Sequence, residues 1–132
     1  MSDVPAPAGS LTSRLRVARE RAAQLNERMD VLNALFAEVE QALTALDLGV
    51  SASVPLDSEC ELVFGKRDSA WALGIRTPEG WTPPAKASKA RRIAACRQME
   101  ALENALIDAV EQQLADSENA STELTDAIKR LR

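Results

Sequence analysis

The chain is 132 residues long, the size of one small domain, and its 45% hydrophobic content can supply a core. It contains no histidine, which removes an imidazole base, histidine metal ligation and any serine–histidine triad, and its net charge of −4 argues against a uniformly basic surface. No apolar run approaches the length of a membrane span, and the start, Met1-Ser2-Asp3-Val4-Pro5, lacks the segments of a signal peptide, so a cytoplasmic protein is expected.

Residues 1–9 read as a disordered tail and residues 10–132 as a single domain. All five glycines and all six prolines lie outside the stretches 10–48 and 85–132. The first stretch predicts a helix over 10–47, with Ser10 as its N-cap and Gly49 as the left-handed residue that ends it. Its apolar residues keep a four-three rhythm: Leu11, Leu15, Ala18, Ala22, Leu25, Met29, Leu32, Phe36, Val39, Leu43 and Leu46. That spacing holds one seam toward one partner, as coiled-coil packing requires. At 1.5 Å per residue the helix is roughly 54 Å long.

The period then falls to two, predicting a three-stranded antiparallel meander over 50–76. Val50, Ala52, Val54 and Leu56 alternate with polar residues or Pro55, and so do Cys60, Leu62 and Phe64, then Trp71, Leu73 and Ile75. A turn centred on Arg67-Asp68 would set Phe64 opposite Trp71, Leu62 opposite Leu73 and Cys60 opposite Ile75. A loop at Asp57-Ser58-Glu59 sets Leu56 against Cys60. Pro55 suits an edge strand, where its missing amide is tolerated. Residues 77–84 read as a linker leading away from the sheet, with Trp81 plugging the junction between sheet and helix.

A second helix is expected over 85–132, beginning near Pro84 or Ser88, with a stripe of Ile93, Cys96, Met99, Leu102, Leu106, Val110, Leu114, Leu124, Ile128 and Leu131. Asp116 to Thr122 is its weakest segment. The fold class is thus α+β, mainly α: an antiparallel two-helix coiled-coil hairpin with the meander inserted between the helices. Doubling back brings opposite charges together, Arg14 near Glu123, Glu40 near Arg97 and Asp47 near Lys89. Exposed pairs contribute only about 0–1 kcal/mol each, so they select the register and do not hold the hairpin.

The apolar stripe is wider near the sheet than two helices need. Leu35, Phe36, Ala42, Leu43, Leu102, Leu106 and Ile107 are therefore the expected self-assembly interface, for a homodimer or larger assembly. The order long helix, short strands, long helix resembles the layout of prefoldin subunits. Their β segments assemble into an oligomeric hub with helical arms, and the likeness in architecture implies a multi-subunit assembly.

Catalytic chemistry finds little footing. Cys60 and Cys96 stand at no metal-like spacing and read as small buried hydrophobes, and Gly65-Lys66 lacks the rest of a phosphate loop. No catalytic residue, metal site or cofactor is expected. Residues 66–97 hold eight basic residues against two acids, a local +6 that includes both tryptophans. Lys66, Arg67, Lys86, Lys89, Arg91 and Arg92 are the candidate contacts to an anion or nucleic acid. The leading expectation is a non-enzymatic interaction or assembly protein, a coiled-coil adaptor, scaffold or chaperone-like subunit that binds itself and another protein without a membrane. The alternative is a nucleic-acid-binding module using the basic segment.

Overall fold

The computed structural model describes residues 5–132. The elements in order are α1 (Pro5–Ala45), β1 (Ala52–Pro55), β2 (Glu61–Arg67), β3 (Ala70–Thr77), β4 (Gly80–Thr82), a 3₁₀ turn (Pro84–Lys86), α2 (Lys89–Arg97) and α3 (Met99–Leu131). Three helices and one antiparallel sheet make a mainly helical α+β fold. The chain divides into two units, Met1–Leu35 and Phe36–Arg132.

In the first unit the described chain is all helix. α1 is described from Pro5 onward. Ser10 therefore lies within the helix and does not cap it. Of the tail expected at 1–9, residues 1–4 lie outside the described residues and α1 takes up the rest. Leu11, Leu15 and Leu25 of the expected seam are exposed, whereas Met29 is buried.

The second unit is built around the sheet. α1 ends at Ala45, and the chain turns through two left-handed residues, Asp47 (φ 52°) and Gly49 (φ 70°). The sheet order is β1-β2-β3-β4, all neighbours antiparallel. Pro55 ends edge strand β1, as its missing amide requires. The loop to β2 is fixed by Asp57, whose Oδ1 accepts from the amides of Glu59 (2.8 Å) and Cys60 (2.9 Å). The Leu56 amide donates to the Cys60 carbonyl at 2.8 Å, the expected pairing.

The β2–β3 register differs from expectation by two residues. Phe64 pairs with Leu73, Leu62 with Ile75 and Lys66 with Trp71. The turn is centred on Asp68-Ser69, both left-handed (φ 49° and 73°), as a two-residue type I′ hairpin demands. A slip of two preserves the side-chain parity, so the same residues still face inward. A fourth strand, β4, occupies part of the segment expected to be a linker.

One sheet face carries the core. Cys60, Leu62, Phe64, Leu73 and Ile75 are essentially inaccessible, and α3 packs over β1 and β2 with Leu102 and Leu106 buried. Phe36 and Ala95 are also buried. Glu40 of α1, expected beside Arg97, instead accepts from the Leu73 amide of β3 through Oε2 at 2.8 Å. It thereby satisfies a strand amide that would otherwise be left without a partner.

The outer face is polar and small. Trp81 of β4 lies across it over Gly74, and a Cβ at position 74 would collide with the indole. The Arg67 guanidinium stacks 4.7 Å from the Trp81 ring. Trp81 thus covers the sheet and does not plug the junction with the helix.

The expected second helix is divided. Pro84 opens the 3₁₀ turn, Ser88 caps α2 by accepting from the Arg91 amide, and Gln98 (φ −97°, ψ 4°) separates α2 from α3. The Asp116–Thr122 stretch, expected to be weak, is continuous helix. Thr122 Oγ1 donates to the Glu118 carbonyl one turn back.

Candidate interaction surface

The basic residues of 66–97 are not gathered on one face. Lys66 and Arg67 are successive residues of β2, so they project to opposite sides of the sheet. The Lys66 ammonium lies 5.9 Å from the Trp71 ring, while Arg67 stacks on Trp81 across the sheet. Trp71 itself is half-buried, stacked on Phe64 with centroids 5.6 Å apart and planes 17° apart. Arg91 is ion-paired with Asp57 at 3.6 Å, and Arg76 with Glu61 at 2.8 Å. Lys86 and Lys89 are exposed, and Arg92 is half-buried.

The thiols are not a reactive pair. Cys60 is buried beneath the sheet, and desolvation raises its pKa. Cys96, near the end of α2, is exposed, contrary to the buried role expected for it. Desolvation still raises its thiol. Among the described residues no group of three or more cysteines, aspartates or glutamates could hold a metal ion. Among those residues, no helix is long and apolar enough to cross a membrane.

The feature that stands out is apolar. A groove of about 430 Å³ is lined by Leu43 and Leu46 at the end of α1, by Leu48 after it, and by Glu103, Leu106, Ile107, Val110 and Glu111 of α3. The groove lies where α1 stops at Ala45 and the chain turns through the left-handed residues Asp47 and Gly49. Leu46 is 63% exposed and Ile107 54%. Two carboxylates, Glu103 and Glu111, stand among these apolar groups and give the groove a negative edge.

The groove takes in three of the seven expected interface residues, Leu43, Leu106 and Ile107. Phe36 and Leu102 are buried in the core of this unit, and Ala42 is exposed outside the groove. Leu35 is exposed and belongs to the first unit. Leu46, Leu48 and Val110 complete the lining without having been expected there. Leu46 and Val110 lie on the helical stripes, Leu46 exposed and Val110 half-buried, and their joint place in the groove is not marked by either stripe alone.

Beyond the groove, α3 is exposed from Glu111 onward, with only Ala127 half-buried. Its large apolar residues Leu114, Leu124, Ile128 and Leu131 stand in water. An apolar stripe continuous with an apolar groove is more than a small monomer normally leaves uncovered. No family model, curated protein or solved structure matches this chain.

Proposed function

We propose that this chain is a non-enzymatic assembly protein that works by burying the apolar groove and the helical stripes against other helices. The observation that carries the reading is the groove at Leu43, Leu46, Leu48, Ile107 and Val110 together with the exposed stripe of α3. A helix of this length with leucines in water gains little stability by itself, and burial of its apolar face is what normally secures it. The four-three rhythm of α1 suits the same coiled-coil packing. Self-association and a helical partner protein are the two occupants such surfaces serve, in the manner of an adaptor or scaffold.

Light scattering on a sizing column from about 1 to 100 µM tests this reading. An assembly whose mass grows with concentration and falls with Leu46→Asp is the expected result. A strictly monomeric chain over that range that also retains no helical partner counts against it. The nucleic-acid alternative is supported only by the local charge excess. Lys66 and Arg67 point to opposite sides of the sheet and Arg91 is engaged by Asp57. An electrophoretic shift at low salt is expected to show no retention of DNA or RNA, and retention lost steeply with salt would favour it instead.

A further inference from the structure

From the exposed face of α3 we infer that its occupant is α3 of a second copy, running antiparallel, so that each copy's C-terminal turns enter the other's groove. This rests on the assembly reading and specifies its partner, direction and register.

The spacing along α3 is the first argument. Ile107, Val110, Leu114, Ser117, Ser121, Leu124, Ile128 and Leu131 follow one another at intervals of three and four without a break. They form a stripe distinct from Leu102 and Leu106, which are already buried in the chain's own core. Turned antiparallel on itself, the stripe matches in one register throughout. Ile107 meets Leu131 of the second copy, Val110 meets Ile128, Leu114 meets Leu124, and Ser117 meets Ser121 on either side of the twofold axis. Every large apolar residue then faces another, and the two small residues fall where the helices cross.

Charge is the second argument and is independent of the first. From Met99 to Glu118 the helix carries six acids, Glu100, Glu103, Asp108, Glu111, Asp116 and Glu118, and no base. After Glu123 and Asp126, the last four residues of the chain carry Lys129, Arg130 and Arg132. A parallel pair would lay the acidic half on the acidic half. The antiparallel register brings the cationic end to residues 106–109, beside Glu103 and Glu111 of the groove. Ile128 and Leu131 supply the apolar groups that the cavity between Leu43, Leu46 and Ile107 lacks. One register therefore pairs the stripe and fills the groove.

Two single-cysteine proteins, Ser117→Cys and Ser121→Cys, each in a Cys96→Ser background, test direction and register together. Oxidised as a mixture, they are expected to give chiefly the mixed 117–121 disulfide dimer, and little dimer when oxidised separately. Leu124→Glu is expected to weaken self-association at least tenfold while leaving the circular dichroism and melting of the sheet-bearing unit unchanged. Disulfide dimers from each protein alone, with none mixed, would mean a parallel pair and overturn the proposal. A wild-type oligomer insensitive to Leu124→Glu but dispersed by Leu15→Glu overturns it too, while leaving the assembly reading standing. A chain that stays monomeric at 100 µM overturns the proposal, and the assembly reading then depends on a different protein as partner.

Discussion

Gly74→Ala is the sharpest test of the sheet's outer face. The indole of Trp81 lies where a Cβ at position 74 would be, against Cε2, Nε1 and Cζ2 of the ring. To regain ordinary carbon contacts of about 3.5–4.0 Å, the ring has to move on the order of 1–2 Å. Gly74 is buried between β2 and β4, so its backbone has little room to yield. Overpacking of this kind costs about 1–3 kcal/mol, and at about 4–8 °C per kcal/mol the melting point of a unit this size should fall by roughly 5–20 °C. Displacing the ring also removes the platform on which Arg67 stacks, and Trp81 fluorescence should shift with it. Trp81→Ala alone is expected to cost about 1–2 kcal/mol, below the 3–5 of a fully buried aromatic because the ring is half-exposed. The combined variant settles the cause. Removing the indole removes the three closest clashes of the new methyl, so Gly74→Ala/Trp81→Ala should match Trp81→Ala within about 0.5 kcal/mol in urea titrations. Simple additivity of the two single costs would refute the contact.

The carboxyl of Asp57 is held below the usual range chiefly by the Glu59 amide, with the Cys60 amide and the Arg91 guanidinium adding to it and burial opposing. A depressed folded-state pKa stabilises fully above the ordinary value of about 3.9, and that contribution is lost as pH falls through the folded value. The stability gap between wild type and Asp57→Ala should thus be constant near neutrality and narrow below about pH 4, and a gap independent of pH would contradict this origin. Maleimide labelling is expected to modify Cys96 in the folded protein and Cys60 only after unfolding, as mass spectrometry of the labelled peptides would show; equal rates would deny the burial of Cys60.

The alternation of apolar residues was sufficient to identify the inward face of the sheet. Cys60, Leu62, Phe64, Leu73 and Ile75 all lie in the core even though the β2–β3 register is shifted. Parity protects such a reading, because a slip of two moves no side chain across the sheet. The turn itself was harder to place. Asp68 tolerates the left-handed region, but Ser69 is not glycine and nothing marks it as the second left-handed position, so the turn could as well have centred one residue earlier. β4 was missed for a related reason. Its stability depends on Trp81 covering a glycine seven residues earlier, a pairing between distant positions that no local period reveals. The division at Gln98 has no glycine or proline to announce it.

The candidate surface shows the same limit more plainly. Periodicity says that Leu102, Leu106, Ile107 and Leu114 are apolar positions of one helix, but it does not say what covers each. The first two are consumed by the sheet and the last two are left in water. The dividing line follows from the end of α1 at Ala45. α3 therefore does different work along its length. The part of α3 beside the sheet contributes to the core, and the part beyond it, exposed to solvent, is the surface to which the proposal assigns association. Such a division couples assembly to folding, since a partner that binds only the ordered helix raises the apparent stability of α3 with concentration. Melting of the exposed half of α3 should accordingly depend on protein concentration, whereas melting of the sheet should depend on it far less.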